Sequence, residues 1–376
     1  MTKVLLLYVE AGHGHRKVAE AIAEELKSRN SPELHIEVLD ALTKTNKFFR
    51  KSYPQIYYQL VVLAPWLWGF FYHFINLSWV YFFISPLRSL WNWLQSKKLR
   101  EYVKTGHFDF ILFTHFFPAE VCASLKRKGD LDSKLITVVT DVIPHAVWQN
   151  SGTDFYWVMA DKSVDPLVRQ GVKRKQIHTS GIPVSSKFLR SKDKPALQNQ
   201  FGLKPNRLTI LFTSGSFGIG PTERVLDSLS HLESQIQAVV ICGKNRALYD
   251  TLNRRRFKFP VALFGFVDNM DEIMAVTDLM IAKPGGATMC ESLVEGIPMI
   301  IMNPIPGQET YNAQWLLEEK AAFQVGNPDK IKGLVDEMIK QPAILSSTYQ
   351  AVKRIAKPHA ARDLADFILN SSEFQD

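Results

Sequence analysis

In several places along this chain a histidine, a carboxylate or a glycine pair stands where an apolar run gives way to a helical pattern. Those are the places where an α/β sheet binds ligands. Gly12-His13-Gly14-His15 follows the apolar run Lys3–Val9. It opens a stretch, His15–Arg29, with Val18, Ala19, Ile22, Ala23 and Leu26 on one helical face. Gly12 and Gly14 allow a tight turn, and a helix start offers unpaired amides to an anion or a polar substrate. His15 is then a proton acceptor at the rim of a cleft, neutral near pH 7; its plainer reading is a capping or turn residue. Thr140-Asp141 ends the apolar run Leu135–Thr140 and leads to His145 and Trp148. Position alone puts Asp141 in the crevice, and an Asx turn is its ordinary alternative. His115, at the end of Phe108–Thr114, is a third polar residue on that rim.

The second half repeats the arrangement with different residues. Thr213-Ser214-Gly215-Ser216-Phe217-Gly218-Ile219-Gly220 follows an apolar run and precedes a helical stretch, as a phosphate loop does. No Gly-Lys-Ser/Thr closes it, so it is not a Walker A loop, and Gly12–Lys17 is not a dinucleotide fingerprint. More specific is Lys283-Pro284-Gly285-Gly286-Ala287-Thr288-Met289-Cys290-Glu291. Gly285 and Gly286 let backbone approach a ligand, Thr288 can bond a phosphate at the helix start, and Glu291 suits the paired hydroxyls of a ribose. The next apolar run ends at Asn303-Pro304-Ile305-Pro306-Gly307-Gln308-Glu309, with Asn312 following. Gln308, Glu309 and Asn312 open a helix with side chains suited to sugar hydroxyls.

Elements that hold such residues are strands alternating with amphipathic helices. Runs at Lys3–Val9, His35–Leu39, Phe108–Thr114, Leu135–Thr140 and Tyr156–Met159 predict parallel strands. After a polar stretch at 185–206 the alternation restarts with Leu208–Thr213, Gln237–Cys242, Val261–Phe264, Leu279–Ala282 and Met299–Met302. The expected fold is α/β, with two Rossmann-like domains, residues 1–188 and 189–376, facing a central cleft.

With 376 residues, 46% hydrophobic and 22% charged, the composition excludes bulk disorder and fibrous repeats. Three scattered cysteines make no disulfide framework and point to a reducing compartment. Lys3–Val9 is too short for a signal peptide and reads as a buried strand. The net charge of +8 is uneven: residues 1–188 hold 24 Lys and Arg against 16 Asp and Glu, and residues 189–376 hold 21 of each. The first half therefore expects an anionic partner.

Between Ser52 and Leu87 there is no Asp, Glu, Lys or Arg, and residues 53–93 contain five of the eight tryptophans. Lys44, Lys47, Arg50 and Lys51 precede the block; Arg88, Lys97, Lys98 and Arg100 follow it. Three readings compete. A transmembrane helix over Trp66–Ile84 has the length, about 20 residues, but would place parts of one sheet on opposite sides of a bilayer. A pair of core helices prefers Leu, Ile and Val to Trp and Tyr. An interfacial segment, broken at Pro65 and Pro86 and spanning residues 52–94, fits best: Trp66, Trp68, Phe70, Phe71 and Trp79 insert, and flanking cations meet anionic lipid. Nucleic acid is not expected, because stacking grooves interleave aromatics with Arg and Lys.

The chain resembles the glycosyltransferases that include plant monogalactosyldiacylglycerol synthases and bacterial processive diacylglycerol glucosyltransferases. The peptidoglycan N-acetylglucosaminyltransferase is a more distant relative. The resemblance covers most of the chain. It rests on Gly12-x-Gly14-His15 with Ala19-Glu20-Ala21, Thr140-Asp141 with His145 and Trp148, and Ser180-Gly181-Ile182-Pro183-Val184. It continues in Cys242-Gly243-Lys244-Asn245, Gly265-Phe266-Val267, Lys283-Pro284-Gly285-Gly286 with Glu291, and Pro306-Gly307-Gln308-Glu309 with Asn312. It implies a GT-B fold whose last helix crosses back, and an enzyme moving a hexose from a UDP-sugar to a membrane lipid, diacylglycerol above all, with inversion. It also implies that the protein holds no cofactor or metal of its own and takes the UDP-sugar as donor substrate.

By the same resemblance His15 or Asp141 is the base. Ser214, Gly215, Ser216, Lys244, Phe266, Lys283, Gly285, Gly286, Thr288, Glu291, Gln308, Glu309 and Asn312 hold the donor. Gly14, His145 and Trp148 face the acceptor. The phosphate loop at 213–221 is poorer in glycine than the family pattern. The expected location is the cytoplasmic face of a membrane, held peripherally. Rival readings are a UDP-sugar 2-epimerase, an N-acetylglucosaminyltransferase on another lipid, and a non-catalytic nucleotide-sugar-binding membrane protein.

Overall fold

Continuous apolar runs become strands covered on both faces, as a parallel sheet requires. Val4, Leu5, Leu6 and Leu7 have no exposed surface at all. The computed structural model describes residues 1–10, 12–213, 220–232 and 234–371. Contacts divide the chain into two units. The first is Met1–Ser186 with Ile305–Tyr311 and Lys357–Asp376; the second is Lys187–Pro304 with Asn312–Ala356.

The first unit runs β1 (Thr2–Tyr8), α1 (His13–Ser28) and β2 (Leu34–Asp40), then four helices in succession: α2 (Lys47–Leu63), α3 (Pro65–Ile75), α4 (Ser78–Gln95) and α5 (Lys97–Gly106). It continues with β3 (Phe110–Phe113), α6 (Phe116–Arg127), β4 (Lys134–Val138), β5 (Phe155–Trp157), α7 (Val164–Arg169) and β6 (Ile177–His178). Its sheet has the order β2-β1-β3-β4-β5-β6, every pair parallel. The chain winds one way from β1 to β2 and then returns to the other side for β3. The switch point is thus at β1 and β3, where Leu7 lies beside Phe113.

The second unit runs α8 (Lys194–Gln200), β7 (Leu208–Thr213), α9 (Thr222–Leu229), β8 (Ile236–Ile241), α10 (Arg246–Asn253), β9 (Val261–Phe264), α11 (Met270–Ala275), β10 (Leu279–Ala282), α12 (Gly286–Glu295) and β11 (Met299–Ile301). It ends with α13 (Gln308–Glu318), β12 (Ala322–Gln324), α14 (Ile331–Lys340) and α15 (Pro342–Ile355). The first turn of α13, through Tyr311, groups with the first unit, as does the final helix, α16 (Ala360–Ser371). The order β12-β11-β10-β7-β8-β9 is again all parallel. Its switch point lies at β7 and β10, where Thr213 lies beside Ala282.

Two strands, β6 and β12, were too short to announce themselves, with two and three residues. Pro86 was expected to break the aromatic segment, and it does not: it sits inside α4, and the break falls at Asn76 and Leu77. Proline there cannot bond the Phe82 carbonyl. The Ser85 hydroxyl donates to that carbonyl instead, at 3.4 Å. Among the described residues no single helix is long and apolar enough to cross a membrane; α3 and α4 pass only as a pair, bent by 100°.

Buried polar contacts hold α4 to the sheet layer. Glu120 of α6 is 3% exposed. Its carboxylate meets Arg88 at 3.2 Å, accepts from Asn92 Nδ2 at 2.6 Å and accepts from the Ser89 hydroxyl, all three from α4. Arg88 therefore points inward and is not one of the cations that face solvent. Arg100 likewise lies over the Trp93 ring, 4.0 Å from its centroid.

Candidate functional site

The loop from β1 to α1 sets His15 at the first switch point. The neighbouring loop, after β3, supplies Thr114. The His15 Nδ1 lies 2.5 Å from the Thr114 carbonyl oxygen, and the Thr114 hydroxyl donates to the His15 carbonyl at 2.8 Å. Only a protonated Nδ1 bonds a carbonyl, so the proton of the neutral ring is fixed on Nδ1 and the lone pair on Nε2. Thr140 Oγ1, beyond β4, stands 3.3 Å from the same Nδ1. His115 packs edge-on at 4.8 Å between ring centroids, and Trp148 lies at 6.4 Å. Burial pulls the His15 pKa down to about 4 against the Thr114 hydrogen bond, so the ring is neutral at physiological pH.

His115 is more deeply buried. Desolvation and then the neighbouring His15 depress its pKa well below the ordinary value. Its Nδ1 accepts from the Phe117 amide at 3.1 Å, which caps α6. It is a cap, not an acid or base. His145, expected to face the acceptor, is also buried. Its Nδ1 accepts from the Val147 amide at 3.2 Å and its Nε2 donates to the Tyr72 carbonyl at 2.8 Å, so both nitrogens are occupied. The Ala146 amide adds a bond to Asn76 Oδ1 at 2.9 Å. The loop carrying Asp141 is thereby fastened to the end of α3. Asp141 is half-buried, and its charge helps raise the pKa values of Tyr57 and Tyr72, after burial itself. Trp148 is 2% exposed and walls the site behind His15. Gly14 lies in the first turn of α1.

At the second switch point a cavity opens among the carboxyl ends of β7 and β10 and the start of α9. Thr213, Gly220, Thr222, Ala282, Lys283 and Asn303 line it, with Phe212, Pro221, Val225, Ile281 and Met302 behind. Ser214, Gly215 and Ser216, expected to contact phosphate, lie outside the described residues. Gly285 stands at the N-cap of α12 and, among the described residues, no N-cap side chain bonds the first amides of that helix. Glu291 is buried one turn on. Phe266 is half exposed after β9, and the Lys244 ammonium stands 5.9 Å above its ring.

The last three donor residues divide. Asn312 has no exposed surface, and its Nδ2 donates to the Pro284 carbonyl at 3.0 Å. It braces the glycine turn before α12, so its reach toward a sugar is through that turn. Glu309 is 7% exposed, and its Oε2 accepts from the Ile305 amide at 2.7 Å. Gln308 belongs with the first unit, where its Nε2 donates to the Tyr57 hydroxyl at 3.1 Å. Sequence reasoning named Thr114 and Thr140 without giving them a role, and missed Tyr57. Thr114 and Thr140 end strands on the rim already singled out; for Tyr57 nothing local signals a partner so far along the chain. Among the described residues no cluster of three or more His, Cys, Asp or Glu is placed to hold a metal.

The aromatic residues expected to insert divide too. Trp66, Phe70, Phe71 and Trp79 are exposed. Trp68 is turned inward against Tyr57 and Tyr72, at 5.3 and 6.2 Å between centroids, and its indole nitrogen is buried. It packs the α2–α3 contact and leaves the outward set.

Residues 15–184 match the monogalactosyldiacylglycerol (MGDG) synthase family, and residues 209–366 match the glycosyltransferase family 28 C-terminal domain. The chain is 27% identical over 373 residues to the processive diacylglycerol beta-glucosyltransferase of Bacillus pumilus, covering 99% of this chain and 95% of that one. It is similar to solved structures of Anabaena HepE in complex with UDP-glucose, with a TM-score of 0.59 and 14% identity. It is also similar to UDP-GlcNAc 2-epimerase from Neisseria meningitidis bound to UDP-GlcNAc, with a TM-score of 0.64 and 12% identity. Each covers 98% of this chain and 100% of the other. At such identities the likeness is one of fold, and it is a fold that serves more than one chemistry.

Proposed function

We propose that the chain transfers a hexose from a UDP-sugar to the hydroxyl of diacylglycerol, making a glycolipid, because residues 15–184 match the monogalactosyldiacylglycerol synthase family and residues 209–366 the glycosyltransferase family 28 C-terminal domain. The observation that carries this reading is the state of His15: a neutral imidazole with its proton fixed on Nδ1 and a lone pair on Nε2. The lipid hydroxyl attacks the anomeric carbon and gives its proton to Nε2. The bond from that carbon to the diphosphate oxygen breaks, and UDP leaves with the electron pair. A single displacement inverts the anomeric centre. Asp141, beyond Thr140, is the second candidate for the base, or the group that orients it.

Lys283 and the amides at the start of α12 meet the diphosphate and stabilise the charge that develops on it. Glu291 holds the ribose and Phe266 the base. Gln308 reads the hexose hydroxyls, with Glu309 fixing the loop that carries it.

The acceptor is a membrane lipid, and the outward face of α2, α3 and α4 suits a membrane surface. Trp66 is 73% and Trp79 63% exposed, with Phe70, Phe71, Phe82 and Phe83 beside them. Lys47, Lys51, Lys97 and Lys98 flank them, exposed. We infer peripheral binding to anionic lipid, the aromatics entering the headgroup region. An epimerase acting on a free nucleotide sugar gains nothing from such a face.

The test is transfer of label from UDP-glucose, UDP-galactose and UDP-N-acetylglucosamine into diacylglycerol vesicles. Label in the lipid phase supports the reading. Epimerised or hydrolysed sugar with no labelled lipid contradicts it.

A further inference from the structure

The helices that present aromatics outward carry an inner face, and the inner face of α2 and α3 is seated on residues 305–311. Two glycines make that seat possible, one on each side. A Cβ at Gly69 of α3 would lie 2.7 Å from the Cβ of Pro306. Gly307 adopts φ +89°, and a Cβ there would lie 2.5 Å from the Tyr72 ring. Only residues without side chains allow backbone and ring to come so close. Polar contacts fasten the seat: Gln308 Nε2 donates to the Tyr57 hydroxyl at 3.1 Å, and the Tyr311 hydroxyl stands 3.4 Å from His73 Nδ1. Tyr57 is itself held edge-on to Trp68, at 5.3 Å and 85°.

A carboxamide offers two N–H donors and one acceptor oxygen. With one end of the carboxamide bonded to a phenol that packing holds still, the rotation of the Gln308 amide is restricted. The polar atoms it does not spend on Tyr57 are left for the paired hydroxyls of a hexose, on a side chain already held in place. A side chain preorganised in this way loses less freedom on binding than a mobile one.

We propose that Tyr57 is a positioning residue for the transferred sugar: with the Gly69–Pro306 and Gly307–Tyr72 contacts, it sets the Gln308 carboxamide that reads the hexose. The proposal rests on the reading that Gln308 meets the donor hexose, and deepens it. It gives the uncharged aromatic segment a second task, on the face turned away from solvent.

Calorimetry with UDP and with UDP-glucose, in the absence of lipid, separates the possibilities. Tyr57→Phe removes one oxygen. Its UDP affinity should stay within about twofold of wild type, while UDP-glucose binding weakens about 3–10-fold, the range for one neutral hydrogen bond. Gln308→Ala should show the same pattern, and adding Tyr57→Phe to it should cause no further loss. Gly69→Val disturbs the loop without touching a hydrogen-bonding group and should weaken UDP-glucose alone; if Tyr57→Phe fails to fold, this variant decides. The proposal is overturned if UDP and UDP-glucose weaken together, if neither changes, or if the two losses add in the double variant. A wild-type chain that binds UDP but not UDP-glucose overturns the donor reading as well, whereas wild-type transfer with an unaffected Tyr57→Phe overturns only the positioning role.

Discussion

The two switch points of this molecule share a topology and differ in what fills it. In the first unit, the ends of β1, β3 and β4 bring side chains together: His15, Thr114, Thr140 and, behind them, His115 and Trp148. In the second, the ends of β7 and β10 surround a cavity lined by Lys283, close to the glycine-capped start of α12. One arrangement is fit to move a proton, the other to hold an anion. A parallel sheet fixes where a site lies, and the loop residues decide its chemistry.

The comparison breaks most sharply at His15. His15→Ala should lower turnover by about 10²–10⁴-fold, the usual contribution of a positioned base, and leave UDP affinity nearly unchanged by calorimetry. Equal losses in both would erase the division between the two units. Next comes Glu120, which anchors α4. Glu120→Ala leaves the Arg88 charge without its buried partner and should cost about 3–5 kcal/mol of stability in denaturant unfolding. A loss within experimental error would mean that α4 is held by its apolar contacts alone. In the second unit, Glu291→Ala should weaken UDP by about 1.5–3 kcal/mol, the scale of a hydrogen bond to a charged group, with turnover of bound donor little changed. Unaltered UDP affinity would remove Glu291 from the ribose.

Much of this contrast was legible in the residues. Fully buried parallel strands are continuous apolar runs, so β1, β7 and β10 declare themselves, and the Gly and His residues that follow them mark the switch points. Less was legible where partners are far apart. Glu120 reads as an ordinary helical carboxylate until α4 is laid across it, 28 to 32 residues back in the chain. Gln308 and Tyr57 are 251 residues apart, and no period or motif links them. Trp66 and Trp68 illustrate a third limit. In a segment with no charges on any side, spacing does not say which face of the helix is wet, and packing turned Trp68 inward. Pro86 was misread because the carbonyl it abandons is recovered by Ser85.

Acid should act on the first unit more than on the second. Burial holds the His15 and His145 pKa values near 4, and depresses His115 too. The unfolded chain takes up protons near pH 6.5 that these folded histidines refuse. Their contribution to stability is therefore full above about 6.5 and is lost as pH falls toward 4, by about 1.4 kcal/mol per pH unit for each histidine. Thermal unfolding between pH 7 and 4.5 should show the decline, and His145→Gln should flatten it; an unchanged slope would contradict the assignment of His145.

The smallest effect is expected at the outward face. Replacing Trp66, Phe70 and Phe71 with Ser, and leaving the inward Trp68 in place, should release the protein from anionic vesicles at high salt without altering UDP binding. Wild-type protein should also bind such vesicles more weakly as salt rises, because screening shortens the reach of Lys47, Lys51, Lys97 and Lys98 to about 3 Å at 1 M. Vesicle binding indifferent to both changes would remove the aromatic face from the account.

The central claim is a single displacement at the anomeric carbon, with His15 Nε2 receiving the proton of a lipid hydroxyl. It is tested most directly by the configuration of the product. UDP-glucose, in which the sugar is α-linked, is incubated with diacylglycerol vesicles, and the anomeric proton of the extracted lipid is read by NMR. The account predicts a β-linked glucosyl lipid, formed by the wild type and slowed by the His15→Ala substitution. An α-linked lipid, or a β-linked lipid formed as fast without His15, would contradict it.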